Sequence, residues 1–193
     1  MRRPKVIAVL AVTVVALAVV IMVVAPRFYR SAPVAGPGQA PAAPAVPERK
    51  ITATLFYVSE DGVSLMPVHT EVAFGDPVSE QARHIIEAQI APPAAPNVSA
   101  IPAGTKLRAV YVSERGDAFV DLSGDIGSKH TGGALDELFA VYAIVNSVTV
   151  NLPAITRVQI LVDGKEVDTL AGHVDIRQPL AKNLSWVADQ KQE

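Results

Sequence analysis

The pattern of hydrophobic and polar residues divides the chain into an uninterrupted apolar run near the N-terminus and a longer region of mixed composition. Val6 to Ala25 is a stretch of 20 residues without a charged side chain. A helix of that length rises about 30 Å, which is the thickness of the hydrocarbon core of a bilayer. We therefore predict a short tail at residues 1–5 and a single transmembrane helix at residues 6–25.

A cleaved signal peptide is the alternative interpretation of the same run. Its apolar stretch is usually about 7–15 residues long and is followed by a cleavage site with small residues. Here the stretch is longer, and Pro26 directly after Ala25 disfavours cleavage at that point. The run is followed by no cysteine, the residue that a lipoprotein anchor requires. We expect an uncleaved protein anchor.

The basic residues around the apolar run predict its orientation. Arg2, Arg3 and Lys5 precede the run, whereas Arg27 and Arg30 follow it. Because basic residues are enriched on the cytoplasmic side, we expect a cytoplasmic N-terminus and an extracytoplasmic C-terminal domain in a single-pass protein of the cell (inner, cytoplasmic) membrane.

Residues 26–50 have the composition of a linker. Five prolines lie between Ser31 and Pro47, separated mainly by Ala and Gly. Proline interrupts both helices and sheet ladders, and this composition cannot build a core. In the extended polyproline II conformation the segment from Ser31 to Pro47 would reach roughly 50 Å.

The remaining pattern predicts one globular domain at residues 51–180 with the order ββαββαββ. Asp76 is expected to cap the first helix with Pro77 as its first residue, and Pro67 favours an edge position for the second strand. We predict an α+β fold in which both helices cover one face of a largely antiparallel sheet, and a polar, frayed tail at residues 181–193. The predicted strands are 51–58, 63–72, 106–113, 118–122, 156–163 and 166–170, and the predicted helices are 77–90 and 134–148.

Two apolar stripes support the helices. In the first helix the stripe is formed by small and β-branched residues. In the second helix we expect one buried face. The first stripe comprises Val78, Ala82, Ile85, Ile86 and Ile90; the second comprises Leu135, Leu138, Phe139, Tyr142, Val145 and Val148, with Ile144 alongside.

Composition and charge exclude several classes of function. The chain has no cysteine, which removes disulfides, thiolate catalysis and cysteine-ligated metal sites. Residues 48–193 hold all 19 acidic residues and 12 of the 17 basic ones, a net charge of −7. Because nucleic-acid phosphates would be repelled by such a domain, we expect no nucleic-acid partner.

One segment has the alternating spacing of a calcium-binding loop. Asp121, Ser123 and Asp125 form a D-x-S-x-D pattern, but Ile126 and Gly132 stand where an EF-hand loop needs glycine and glutamate. We interpret the three residues as turn and capping residues, with a weak divalent-ion site as the alternative.

The glycine-containing segment from Gly127 to Gly133 precedes the second helix and could cradle an anion there. It lacks the G-K-[ST] ending of a phosphate-binding loop, and Asp136 and Glu137 in the first turn already complement the helix dipole. We expect Thr131 or Gly132 to lie near the helix cap. Asp136 and Glu137 point in different directions on a helix, so an acid–base pair is not expected.

The four histidines form no ligand pair, and we assign no catalytic, cofactor-binding or metal-binding residue. His173 follows Gly172 and is interpreted as a turn residue with backbone hydrogen bonds. Asn146 is a polar residue on an apolar helix face, where a buried amide needs partners, and we expect it to tie the helix to a neighbouring strand or loop. The histidines are His69, His84, His130 and His173.

Several segments resemble the GerMN domain, a family named for a bacterial sporulation and spore-germination protein. The most specific are AIVNSVT (143–149), RVQILVDGKEVDTLAGH (157–173) and PAGTKL (102–107). The resemblance covers residues 51–180, in a single copy instead of two. It implies an α/β domain outside the cytoplasmic membrane, similar in fold to the ring-building motifs of sporulation secretion complexes, and it carries over no catalytic residue.

Together these observations predict a membrane-anchored, extracytoplasmic, non-catalytic binding or assembly module of the cell envelope, acting in envelope, sporulation or germination processes. Its partner would be another envelope protein or a second copy of itself. The alternative is a receptor or hydrolase for cell-wall material that uses a pocket near Asp121–His130. A purely structural accessory domain of a larger complex is a third possibility.

Overall fold

The computed structural model describes residues 49–188, which contain the whole predicted domain. The predicted tail at 1–5, the transmembrane helix at 6–25 and almost all of the linker lie outside the described residues. Among residues 49–188, no helix is both long and apolar enough to cross a membrane. The elements are β1 (Lys50–Val58), β2 (Leu65–Ala73), α1 (Val78–Ile90), β3 (Leu107–Val112), β4 (Asp117–Leu122), α2 (Asp125–Ser128), α3 (Ala134–Asn151), β5 (Arg157–Val162), β6 (Lys165–Glu166) and β7 (Leu180–Ala181).

The fold is of the predicted mixed α+β class and its strand pairs are largely antiparallel, but the prediction of a single sheet is wrong. The β1–β2 hairpin is a sheet of its own, and β3 to β7 form a second, five-stranded sheet in which β4 and β5 are parallel. Parallel neighbours need a crossover, and α3 supplies it. Both α1 and α3 contact strands of both sheets, so the helices do not simply cover one face of a single sheet.

The second helix, α3, is more deeply buried than an amphipathic helix on a surface. Eleven of its residues are buried, from Glu137 to Thr149. The predicted single stripe is therefore wrong in part, since Leu135 is 37% exposed while Ala140 and Ala143 on other sides are fully buried. The helix contacts β1 of one sheet and β5 and β7 of the other, which explains burial almost all around.

Two side-chain amides complete the outer edge of β1. The Thr54 N–H donates to Asn151 Oδ1 at 2.8 Å, and the Asn151 amide donates to the Thr54 carbonyl at 2.8 Å. Gln89 makes the same pair of bonds with Phe56, at 2.9 and 2.8 Å. Val58 N then donates to the Val98 carbonyl at 2.8 Å. The alternate residues of an edge strand thus find partners on α3, on α1 and in the following loop.

Residues 180–188 pair with both sheets, which corrects the prediction of a frayed tail for the described residues 181–188. Leu180–Ala181 forms β7 on β5, and Leu65 of β2 exchanges hydrogen bonds with Trp186 and Ala188. The predicted role of Asn146 is confirmed here. Its buried amide binds both the N–H and the carbonyl of Asn183, at 3.0 and 2.8 Å. The segment therefore joins one strand of each sheet.

Three local predictions also change. The residue that caps α1 is Pro77, not Asp76, and its carbonyl accepts hydrogen bonds from the N–H groups of Glu80 and Gln81. The segment between the predicted strand 118–122 and the predicted helix 134–148 contains the single-turn helix α2, for which no element was predicted. The predicted strand 166–170 pairs only at Lys165–Glu166, because the backbone N–H groups of Leu170 and Ala171 bind a side chain, Glu137, instead of a strand. Pro67 lies on an edge strand as predicted.

Candidate functional site: a pocket beside helix α3 and an exposed sheet face

A cavity of about 650 Å³ opens between two loops near the N-terminus of α3. Its wall combines apolar residues of the loop after α1 with polar residues of the loop before α3. A volume of this size is within the range of small-molecule sites. The lining residues are Val58, Val98, Ser99, Ala100, Ile101, Pro102, Ala103, Lys129, His130, Thr131, Gly132 and Asp136.

Local contacts hold both walls in place. The apolar wall is fixed at one end by the Val58–Val98 hydrogen bond, and at the other by Thr105, whose hydroxyl donates to the Pro102 carbonyl at 2.8 Å. On the polar wall, the Lys129 ammonium pairs with Asp125 at 3.2 Å. It also approaches Gly104, where an added Cβ would lie 3.0 Å from Lys129 Nζ. Gly104 also has φ +90°. Glycine therefore suits this position because it has no Cβ to meet Lys129 and because it adopts positive φ without strain.

The polar wall contains a partly buried histidine and the start of helix α3. His130 Nε2 is buried without a hydrogen-bond partner among the described residues. Asp136 accepts a hydrogen bond from Gly133 N at 3.2 Å, and it thereby caps the helix start. The residue that caps α3 is Gly133, so Thr131 and Gly132 lie near the cap, as predicted. Because the carboxylate of Asp136 covers this helix end, the site is not an open anion cradle.

The predicted D-x-S-x-D residues do not converge. Asp121 pairs with Arg108 and accepts from Gly164 N at 2.8 Å, Ser123 Oγ accepts from Lys106 N at 3.0 Å, and Asp125 pairs with Lys129. Within residues 49–188 there is no group of three acidic or histidine side chains placed to hold a metal ion. The interpretation as turn and capping residues fits these separate contacts.

Glu137 is a buried residue whose role the sequence did not reveal. Its side chain is fully buried, yet it accepts hydrogen bonds from the backbone N–H groups of Leu170, Ala171 and His173 at 2.8–2.9 Å, and His173 Nδ1 lies 2.9 Å from it. Burial raises the pKa of this carboxyl, but the hydrogen bonds outweigh it and the pKa lies below its ordinary value. The carboxylate therefore holds the 170–173 loop against α3.

The other histidines have local partners. His69 Nδ1 lies 3.3 Å from Thr54 Oγ1, and His84 Nδ1 lies 3.0 Å from the Ala73 carbonyl. His173 lies in a turn as predicted, with its backbone N–H bound to Glu137; the bond from its ring to the same carboxylate was not anticipated. The sequence signal for the role of Glu137 was an acidic residue in the first turn of a largely apolar helix, because a buried carboxylate needs hydrogen-bond donors.

The outer face of the large sheet is the second candidate surface. Tyr111 on β3 is paired with Phe119 on β4, and Tyr111 is 62% exposed. Arg157 binds both carboxylate oxygens of Asp117, at 2.7 and 3.1 Å, and Arg108 Nε lies 3.0 Å from Asp121. Sequence alternation along β4 indicates this second face, but the two arginine–aspartate pairs require knowledge of the strand order.

Comparison with known proteins identifies the family. A family model described as "Germane: Sporulation and spore germination" matches residues 54–168. The chain belongs to this family. The resemblance to GerMN domains that the sequence indicated is thereby confirmed. No curated protein matches the chain.

Two solved structures share the fold of this Germane domain. One is a Clostridium perfringens protein described provisionally as a lipoprotein, 24% identical, with a TM-score of 0.50, covering 69% of this chain and 88% of that one. The other contains the tandem GerMN domains of the sporulation protein GerM from Bacillus subtilis, 16% identical, with a TM-score of 0.54, covering 69% of this chain. The match covers 46% of the tandem structure, in keeping with a single domain here.

The Germane match includes both candidate surfaces but ends before several contacts described above. Residues 170–173, which bind Glu137, and residues 180–188, which pair with both sheets, lie beyond residue 168. The structure therefore adds a C-terminal extension to the matched region, one that is packed against it through Glu137 and Asn146.

Proposed function

We propose that this chain is a membrane-anchored, extracytoplasmic, non-catalytic binding or assembly module of the cell envelope, serving sporulation, germination or a related process. The single observation that carries the proposal is the match to the sporulation and spore-germination family over residues 54–168. The apolar run from Val6 to Ala25 and the linker after it support a tethered domain.

The mode of anchoring is part of the proposal. The Clostridium relative is described provisionally as a lipoprotein, and GerM as a sporulation protein, which supports a membrane-associated location outside the cytoplasm. The 193 residues of this chain contain no cysteine, the residue to which a lipoprotein's lipid is attached. We therefore assign the anchor to residues 6–25 and not to a lipid.

The non-catalytic role is supported by how the acidic groups are used. Asp117 and Asp121 are engaged by Arg157 and Arg108, and Glu137 is surrounded by donors of its own fold. A general acid or base must reach a proton of a bound substrate, and these carboxylates are occupied by structural contacts. Such an arrangement favours recognition over proton transfer.

Topology and interaction can be tested in the same cells. A C-terminal epitope tag should be digested by protease added to spheroplasts, whereas an N-terminal tag should stay protected until lysis. Chemical crosslinking in intact cells should then yield an envelope protein or a second copy bound to the chain. A C-terminal tag that is digested only after lysis would refute the location, and a chain that crosslinks to nothing would refute the assembly role.

The pocket favours a second candidate function, a receptor for a small cell-wall-derived ligand. The prediction placed this pocket near Asp121–His130; the cavity is lined by His130 and Lys129, while Asp121 is engaged by Arg108 and does not line it. Soluble muropeptides that raise the melting temperature of the protein, with the rise lost in Thr131→Trp, would support a ligand in this pocket. Absence of any shift would leave the binding module without a small-molecule receptor function.

A further inference from the structure

The outer face of the large sheet carries two aromatic side chains, Tyr111 and Phe119, that belong to neither buried apolar cluster of the described residues. Along β4 the residues Ala118, Val120 and Leu122 point into the main core, so Phe119 points to the opposite face. Tyr111 is its cross-strand neighbour on β3. Tyr111 is 62% exposed and Phe119 beside it is partly buried, so the pair forms an aromatic surface that is open on the Tyr111 side.

Two ion pairs border this aromatic surface. Arg157 bridges to Asp117 at one end of β4, and Arg108 to Asp121 at the other. Both aspartates are nearly buried, at 5% and 7% exposure, whereas about half of each arginine side chain is exposed. A guanidinium fixed by a buried carboxylate keeps its remaining N–H donors in a defined orientation, which lowers the entropic cost of binding a ligand.

We call Tyr111, Phe119 and the two arginine–aspartate pairs the aromatic platform, and its size limits the partner. Asp117 and Asp121 are four residues apart on one strand, so the ion pairs are separated by about 13 Å. Two or three strands are about 10–15 Å wide, which gives an area of roughly 130–200 Å². A stable protein interface needs about 800 Å² on each partner. The platform is too small for that, but it matches a short oligosaccharide.

The charges on the platform also limit the partner. Arg108 approaches Asp163 at 3.3 Å in addition to Asp121, so two cations face three carboxylates. An anionic polymer would gain no net attraction from this surface, and the domain as a whole is acidic. A neutral ligand with many hydroxyl groups can instead use both the donors of the arginines and the acceptors of the aspartates.

We propose that the aromatic platform binds a neutral glycan strand. The apolar C–H face of a sugar ring would stack on Tyr111 and Phe119, and its hydroxyl groups would bond to Arg108 and Arg157. The proposal deepens the proposed function, because a domain held outside the membrane meets the glycan of the cell wall. It does not depend on the membrane topology being correct.

The test is calorimetric titration of the purified full-length chain, in mild detergent, with N-acetylglucosamine tetramer and with cellotetraose. We expect saturable binding of at least one tetrasaccharide and an approximately tenfold weaker affinity in Tyr111→Ala, since an aromatic contact is a large part of so small a site. Trp186→Ala is the matched control, because Trp186 is an exposed aromatic residue (40%) away from the platform. It should bind like the wild type.

Three outcomes would overturn the proposal. Binding of neither tetrasaccharide by the wild type would exclude a neutral glycan, and equal affinities in Tyr111→Ala and wild type would place any glycan elsewhere. Loss of a dimer in Tyr111→Ala, measured by sedimentation, would make the platform an interface between copies. A cytoplasmic location with intact glycan binding would refute the location alone.

Discussion

The outer edge of β1 and the outer face of β4 both leave groups that need partners, and the protein treats them in opposite ways. At the β1 edge, Asn151 and Gln89 supply amides that bind the backbone of Thr54 and Phe56. On the β4 face, Phe119 and its neighbour Tyr111 remain outside both apolar clusters. The unpaired N–H and C=O groups of an edge strand can pair with another chain, so the two side-chain amides protect the fold by occupying them. The aromatic surface is not closed in this way, and it is the surface for which we propose a ligand.

The buried carboxylate of Glu137 also has its hydrogen-bonding groups paired within the fold, as the β1 edge has. Glu137 on α3 accepts hydrogen bonds from backbone N–H groups of the 170–173 loop. The β1 edge is paired in a similar way by the side-chain amides of Asn151 and Gln89. By contrast, the guanidiniums of Arg108 and Arg157 are half exposed and keep donors available. Substitution of Glu137, Asn151 or Gln89 should therefore lower the stability of the fold, whereas substitutions on the aromatic platform should weaken binding of the proposed glycan.

The largest expected effect follows from Glu137→Gln. The glutamine would retain one carbonyl oxygen but place an NH2 group against backbone N–H donors. We expect a loss of about 3–5 kcal/mol in the free energy of unfolding at pH 7, the range for disrupting a buried charged interaction. Urea denaturation measures it, with Glu114→Gln, the same change at an exposed position, as the control. Equal stabilities of the two variants would contradict a structural role for Glu137.

The same carboxylate gives a pH prediction. The folded-state pKa of Glu137 is lowered from 4.5, because the hydrogen bonds outweigh the effect of burial. Its stabilisation is therefore fully present above pH 4.5 and is lost as the pH falls through the lower folded-state pKa. The difference in unfolding free energy between wild type and Glu137→Gln should shrink as the pH falls below 4.5. A difference that grows there would mean that the pKa is raised.

Gln89→Leu should have the next largest effect. The leucine preserves the approximate volume but leaves the N–H and the carbonyl of Phe56 without a partner, at about 1–3 kcal/mol for each buried unsatisfied group. We expect a loss of about 2–4 kcal/mol in urea unfolding. Gln178→Leu makes the same chemical change at an exposed position and should stay within about 0.5 kcal/mol of wild type. A neutral Gln89→Leu would show that the β1 edge does not need closing.

Asn146→Leu should release the C-terminal segment at a smaller cost, about 1–3 kcal/mol, since two hydrogen bonds to the Asn183 backbone disappear. Hydrogen exchange should then speed up selectively in residues 180–188. Lys182→Ala is the control, because it truncates an exposed side chain of the same segment and leaves the bonds to Asn146 in place. Unchanged protection of residues 180–188 in Asn146→Leu would show that strand pairing alone holds the segment.

Features that a few neighbouring residues determine could be predicted from the sequence. The strand predicted at 51–58 is β1, and a tight turn follows the strand predicted at 156–163, where Asp163 and Gly164 both have positive φ. Asn146 was recognised because a polar residue stood in an apolar helix. These signals are contained within a few neighbouring residues.

Features set by partners far along the chain were missed. The parallel pairing of β4 and β5, the short β7 and the burial of α3 on nearly all sides depend on which elements meet in space. A segment such as 181–188 looks polar and unstructured in sequence, yet Asn146, more than 30 residues earlier, fixes it. For the candidate sites, the sequence located His130 but could not assemble the aromatic platform, since Tyr111, Phe119 and Arg157 come from three strands.

The smallest expected effect on stability belongs to Tyr111→Ala, and it is the sharpest test of the comparison between the closed edge and the open face. Because Tyr111 is 62% exposed and joins neither core cluster among the described residues, its removal should change the free energy of unfolding by about 0.5 kcal/mol or less. Urea denaturation of Tyr111→Ala and of Gln89→Leu measures how much the aromatic face and the β1 edge each contribute to the free energy of unfolding. If Tyr111→Ala were as damaging as Gln89→Leu, the aromatic platform would be part of the fold's own stabilisation, and its exposure would carry no argument for a ligand.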